Sequence, residues 1–165
     1  MATAAKRESA IPALVVAFVA CFAAQAIGAS IAHSNMDWYA TLQKPSFTPP
    51  AIAFPIVWTT LYVLMAIAAW TFWRQAETAE LRRTGVIWFG LQLLLNVAWT
   101  FAFFGLHQPG YGVVTILFLL LAILITIVVF DRESRTASLL LVPYFLWVAF
   151  AAALNAGTFL LNSGT

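Results

Sequence analysis

Long apolar runs alternate with short polar connections along this chain. Five runs stand out, at about residues 11–32, 50–73, 84–106, 111–130 and 137–161. Each is near the ~20 residues that a helix needs to cross a ~30 Å hydrocarbon core. Leu, Ile, Val, Phe and Ala follow one another within them, without the polar-in, apolar-out alternation that a transmembrane barrel strand requires. In lipid each segment must satisfy its own backbone hydrogen bonds, so helices are predicted throughout. The expected fold class is all-α, a polytopic five-helix membrane bundle. One domain over residues 1–165 suffices, because no internal repeat or low-complexity segment divides the chain.

Composition narrows the class further. With 63% hydrophobic and 8% charged residues, there is too little polar surface to cover a water-soluble globule of this length. The lipid bilayer is the expected surrounding and no nucleic-acid partner is expected. Charge also gives an orientation. Lys6, Arg7, Arg74, Arg82, Arg83, Arg132 and Arg135 fall on one side of a five-span topology, and Lys44 alone falls on the other. This positive-inside bias predicts a cytosolic N-terminus and an outer C-terminus, in a bacterial cell membrane. Trp70, Trp73 and Trp88 then fall near the cytosolic interface, where amphipathic rings anchor spans.

The first run has the outline of a secretory signal, with Lys6 and Arg7 ahead of it and small residues at 24–26. It continues apolar to Ala32, past the usual ~7–15 residue core, so retention as a span is expected. Phe18-Val19-Ala20-Cys21 resembles a lipoprotein cleavage site only faintly, Phe18 being a poor fit. The lone Cys21 has no partner for an internal disulfide and reads as a small packing residue. Ala20, Ala24, Gly28 and Ala32 place four small side chains on one helical face. That face is either a homodimer seam or a packing surface for another helix of the same subunit, and periodicity leaves both open. Pro55 and Pro143 each remove a backbone donor inside a span and can kink it. Gln108-Pro109-Gly110 reads as a tight turn.

The candidate chemistry lies elsewhere. Between the first two runs stands Trp38-Tyr39-Ala40-Thr41-Leu42-Gln43-Lys44-Pro45-Ser46-Phe47-Thr48-Pro49-Pro50, followed by Phe54-Pro55-Ile56-Val57-Trp58-Thr59-Thr60-Leu61-Tyr62. Rigid prolines and aromatic rings concentrated at one membrane surface look like the rim of a pocket. In the third span Gln92, Asn96 and Trp99 share a face that Phe103 extends. In the fifth, Tyr144, Trp147, Ala151 and Asn155 do the same, and in the second Trp58 and Tyr62 are one turn apart. An amide facing lipid is costly, so Gln92, Asn96 and Asn155 should face the bundle interior. They serve there either as hydrogen bonds between helices or as the few polar groups of an apolar ligand cavity; convergence with three aromatic faces favours the cavity.

These strings together strongly resemble the TspO/MBR family. The residues that carry the likeness are Trp38-Tyr39-x-x-Leu42-x-Lys44-Pro45-x-x-x-Pro49-Pro50, Phe54-Pro55-x-Val57-Trp58-x-x-Leu61-Tyr62, Asn96-x-x-Trp99, and Pro143-Tyr144-x-x-Trp147-x-x-x-Ala151-x-x-Leu154-Asn155. The likeness runs from the first span to the fifth, with several motifs in the right order. It implies a five-helix bundle, often a homodimer, that binds porphyrins such as protoporphyrin IX and drug-like isoquinoline carboxamides in a cavity capped by the first connection. Carried over by motif, the lining would include Tyr39, Pro49, Pro50, Trp58, Asn96, Trp99, Trp147 and Ala151. The family resemblance also implies, for some bacterial members, light-dependent breakdown of protoporphyrin with tryptophans matching Trp58 and Trp147.

A wide, flat, apolar macrocycle suits a slot walled by indoles, which offer contact area and offset stacking. Its anionic propionates would prefer the wet mouth, where Lys44 is either their partner or an ordinary interfacial charge. Haem is a weaker candidate than metal-free porphyrin, since His33 and His107 are expected near span ends, and no metal site is expected. All six acids lie outside the predicted spans, so paired-carboxylate hydrolysis, a Ser-His-Asp triad and a zinc cluster lack their parts. No Lys or Arg follows Arg135, which leaves the proposed cholesterol motif of a last-span tyrosine unsupported. Nothing resembles a nucleotide-binding loop. No resident cofactor is required. The expected function is tetrapyrrole binding for sequestration, transport or sensing. The alternatives are photo-oxidative porphyrin breakdown, in which light, oxygen and a touching indole are needed, and a membrane adaptor with no substrate turnover.

Overall fold

The computed structural model describes residues 10–163. Six α-helices run α1 (Ala10–Ser34), α2 (Met36–Thr41), α3 (Ala53–Gln75), α4 (Ala79–Thr100), α5 (Pro109–Asp131) and α6 (Arg135–Asn162). A π-helical turn, Phe101–Gly105, prolongs α4. Five of these helices are long and apolar enough to cross a membrane. Among the described residues there is no strand.

Local chemistry sets the helix ends. The second span begins at Ala53 rather than Pro50, after a turn that the Ala53 amide closes on the Pro50 carbonyl at 2.9 Å. The third begins at Ala79, five residues before the apolar run, where the Thr78 hydroxyl caps the Leu81 amide at 3.2 Å. Its charged first turns thus extend α4 beyond the hydrocarbon. Ser134 caps α6 in the same way through the Ala137 amide at 3.2 Å, and Pro109 opens α5 at a position whose amide needs no partner. Pro55 falls in the first turn of α3, where its missing amide costs little, whereas Pro143 lies inside α6.

The spans form a closed ring in the order α3, α1, α4, α5, α6 and back to α3. One half of the bundle is solid. There Phe72 stacks flat on Phe130 at 4.2 Å between ring centres, and both belong to a core that also buries Met65, Ile123 and Leu141. Gly85 is needed here, since a Cβ would fall 2.1 Å from the Phe72 ring.

Two hydrogen bonds gather one end of this half. The Glu77 amide donates to the Glu133 carboxylate at 2.9 Å, and the Trp70 indole donates to the Ala10 carbonyl at 2.8 Å. The α3–α4 and α5–α6 connections therefore share one end with the start of α1. Arg74 and Arg82 lie over the Trp70 and Trp73 rings at the same end, whereas Trp88 packs half-buried against the core. Lys6 and Arg7 lie outside the described residues. At the opposite end Gln43 and Asn162 pair through amide and backbone groups at 3.1 and 2.9 Å. The first connection and the end of α6 meet there, at the hollow half of the molecule.

Candidate functional site

The hollow half encloses a cavity of about 710 Å³ bounded by α1, α3, the end of α4, α6 and the first connection. α5 takes no part in the wall and packs behind α4 and α6. Trp58 and Tyr62 enter from α3, Asn96, Trp99 and Phe103 from α4 and its π turn, and Trp147, Ala151 and Asn155 from α6. Tyr39 of α2, together with Lys44 and Pro49 of the connection, closes the outer end. This is the convergence of stripes that helical spacing predicts.

The aromatic wall consists of two groups of rings. The Trp58 ring lies 5.9 Å from Tyr62, 6.2 Å from Trp99 and 6.3 Å from Tyr144, within the separations at which ring pairs attract. Trp147 stands edge-on to Phe54 at 5.9 Å and beside Phe150 at 5.5 Å.

Behind this wall runs a buried polar chain. The Tyr62 hydroxyl donates to Asn96 Oδ1 at 2.9 Å, Asn96 Nδ2 donates to the Tyr144 hydroxyl at 3.1 Å, and that hydroxyl donates to Gln92 Oε1 at 2.8 Å. Nearer the mouth, Trp99 Nε1 donates to Asn155 Oδ1 at 3.0 Å, and Asn155 Nδ2 donates to the Pro109 carbonyl at 2.8 Å. Three amides thus hydrogen-bond across helices, so both readings of them, interhelical bonds and cavity polar groups, describe part of the same arrangement. The Asn155 contact is tight. A Cβ on Gly112 would fall 2.5 Å from Asn155 Oδ1, so only glycine lets α5 approach α6 here.

The cap is held from both sides. Trp38 stacks on His107 at 4.5 Å and meets Phe103 edge-on at 5.7 Å. His107 Nε2 lies 2.7 Å from Asn35 Oδ1, and its positive φ of 54° turns the chain sharply after the π segment. On the far side the buried Pro45 sits against Gly157, where a Cβ would come within 2.6 Å of its ring. Lys44 Nζ lies 4.6 Å over the Tyr39 ring and donates to the Leu42 carbonyl at 3.3 Å. Partial burial raises the Tyr39 phenol above its ordinary pKa, so it is neutral at the mouth.

Some expected residues lie off the cavity. Tyr144 is fully buried and supports the wall through Asn96 and Gln92. Trp38 faces His107 and Phe103 and braces the cap, and Pro50 is exposed beside the start of α3. Of the small-residue stripe, Ala20 points outward, Ala24 is buried, and Gly28 and Ala32 line the cavity. A Cβ on Gly28 would sit 3.6 Å from Thr100 Oγ1, so that part of the stripe serves packing within the chain. Other lining residues escaped the sequence reading, among them His33, Met36, Phe54, Phe104 and Gln25. His33, placed at a span end by the sequence, does stand at the end of α1, yet it lines the cavity. Gln25 was legible by the rule applied to Gln92, as a lone amide inside an apolar run.

Known proteins are similar in sequence to this chain along most of its length. A profile of the TspO/MBR family matches residues 14–161. The chain is 41% identical over 147 residues to the tryptophan-rich protein TspO of Chlorobaculum tepidum, an alignment covering 86% of this chain and 90% of that one. It is 40% identical to protein CrtK of Rhodobacter capsulatus, with 89% and 91% covered. It is 38% identical over 133 residues to the human translocator protein, with 78% of each chain covered. With five membrane-length helices and similarity running through all of them, the chain is a multi-pass integral membrane protein that belongs to the TspO/MBR family.

Proposed function

We propose that this protein binds a porphyrin-class tetrapyrrole, of the protoporphyrin IX type, in the cavity under the first connection, and that it sequesters, moves or senses that ligand. The observation that carries the reading is the wall itself: Trp58, Trp99 and Trp147 line one hollow of about 710 Å³, within the ~300–1,000 Å³ typical of small-molecule sites. Stacked and edge-on indoles suit a flat apolar macrocycle. Lys44 at the mouth supplies a cation for propionates that remain wet.

The test is a dark titration of the detergent-solubilised full chain, following quenching of tryptophan emission by protoporphyrin IX. Trp58→Ala with Trp147→Ala is expected to weaken binding at least tenfold, since base or ring stacking on an aromatic side chain contributes ~1–3 kcal/mol. Undiminished affinity in that double variant overturns the reading and leaves the adaptor role.

A second reading, photo-oxidative porphyrin breakdown, is favoured by one feature: Trp58 lines the cavity and is in ring contact with Trp99 and Tyr62. Illumination of the same samples in air decides it. Equal bleaching of porphyrin with native protein and with Trp58→Ala, at matched occupancy, removes this version.

A further inference from the structure

Lining the hollow does not by itself expose a side chain. Asn96, Thr100, Phe103, Ala151, Asn155 and Thr158 line it and are buried. Among the described residues, the lining side chains that are exposed are Ala29 and His33 of α1, Met36 of α2, Ala51 just before α3 and Pro55 in its first turn. All of them lie along one seam, where the end of α1 passes the start of α3. On that flank the cavity is open to the outside of the bundle.

The other seams are shut by contact. Between α3 and α6, Trp147 stands edge-on to Phe54. Between α1 and α4, Gly28 lies so near Thr100 that a Cβ would come within 3.6 Å of its hydroxyl. The cap is joined to the π turn through Tyr39 and to α6 through Pro45 and Gln43. The open seam ends where Gln25 Nε2 donates to Thr59 Oγ1 at 2.8 Å and ties α1 to α3. From there toward the solid half the two helices pack together, as far as the Trp70 indole on the Ala10 carbonyl. Gln25 to His33 is about 12 Å of helix, most of the ~15 Å thickness of one hydrocarbon leaflet. The seam thus faces acyl chains over most of its height. Its lips are small or apolar, and His33 stands at its outer end, where headgroups begin.

We infer that the seam between α1 and α3 is the entrance of the cavity, and that it admits flat amphiphiles dissolved in the adjoining leaflet rather than solutes from water. The inference rests on the cavity being a ligand site, as proposed above, and names the substrate class: molecules that partition into the bilayer and leave a polar edge among the headgroups. Entry is then a slide within the leaflet. The cap bears on how firmly a ligand is held, and the seam on how fast it passes.

Ala29→Phe puts a ring into the seam from its α1 lip, and Ala51→Phe does so from the opposite lip. Both positions are exposed, so neither ring is forced into the core. Leu94→Phe, on an exposed face of α4 away from the cavity, is the control. The full chain is placed in phospholipid nanodiscs, and tryptophan quenching by protoporphyrin IX is followed by stopped flow. A narrowed entrance slows passage in both directions. Association and dissociation are each expected to fall about tenfold, the effect of overpacking by one side chain, with affinity held within about twofold. The control is expected to match wild type. Unchanged rates in both narrowed variants overturn the inference, and so does weaker binding with faster release, which would make Ala29 and Ala51 wall rather than entrance.

A second readout needs no porphyrin. In nanodiscs of lipid brominated on its acyl chains, contact with a chain quenches tryptophan emission, and Trp58 lies one turn on from Pro55, behind the seam. Wild type is expected to be quenched more than Ala29→Phe, and equal quenching overturns the inference even where porphyrin binds. If chains reach the seam of the wild type but protoporphyrin does not quench it, the tetrapyrrole reading falls and the entrance stands.

Discussion

Asn96 carries more of the site than any ring does, although it contributes little surface. Its two amide atoms join Tyr62 of α3 to Tyr144 of α6, and Tyr144 passes the bond on to Gln92. All four residues are at least 97% buried, so no solvent can replace a lost partner. Asn96→Ala leaves two phenols short of a partner and is expected to lower stability by roughly 1–3 kcal/mol. Tyr144→Phe keeps the ring but likewise leaves two buried atoms, Asn96 Nδ2 and Gln92 Oε1, without a partner, so a loss of the same order is expected. Thermal unfolding in detergent, followed by tryptophan emission, orders the two. Tyr144→Phe should also leave protoporphyrin affinity within about twofold, because Tyr144 does not line the cavity. A larger loss would mean that the wall moves when its backing is cut. The interior position of Asn96 is legible in the sequence, since an amide cannot face lipid cheaply. The depth of Tyr144 is not. Spacing puts Tyr144, Trp147, Ala151 and Asn155 on one helix face, but where along that face the bundle closes depends on the side chains that meet it from other helices, Trp58 of α3 and Gln92 and Asn96 of α4.

At the scale of elements, the spans themselves are written in the apolar runs, and their boundaries shift only where capping and proline chemistry outweigh hydropathy, as at Thr78 and Pro50. Two short elements are not written there. Helix α2 occupies six residues, Met36–Thr41, too short to be stable alone, and it exists because it docks. Its Trp38 is clamped between His107 and Phe103, and its Tyr39 leans on Phe103 and Phe104. The π turn that carries those phenylalanines closes with the Leu106 amide on the Phe101 carbonyl at 2.8 Å. Phe-Ala-Phe-Phe-Gly reads locally as more α-helix, and only packing against α2 and α5 distinguishes the wider turn. Such an arrangement makes the cap a docked lid whose hold resides in aromatic pairs of ~0.5–1.5 kcal/mol each. Trp38→Ala removes two of them. Stopped-flow quenching should then show protoporphyrin leaving about three- to tenfold faster, with a smaller change in its association rate. Unchanged dissociation would mean that the Pro45–Gly157 and Gln43–Asn162 contacts alone hold the cap.

For the molecule as a whole, the division into a solid half and a hollow half coincides with the asymmetry of charge. Among the described residues Arg74, Arg82, Arg83, Arg132 and Arg135 lie toward the solid end, where the two connections meet through the Glu77 amide and the Glu133 carboxylate, while Lys44 marks the hollow end. Short basic connections stay on the cytosolic side during insertion. The cavity mouth should therefore open away from the cytosol, where a ligand arrives from outside or from the outer leaflet. Single-cysteine labelling in intact cells decides the orientation. Cys21 is fully buried in α1 and is removed first as Cys21→Ala, a small change at a packed site. On that background Lys44→Cys is expected to react with an impermeant maleimide in intact cells, and Arg132→Cys only after permeabilisation. Both positions are accessible enough to label, Arg132 fully exposed and Lys44 partly so. The reverse pattern would place the aromatic cavity on the cytosolic side, where a ligand would arrive from within the cell.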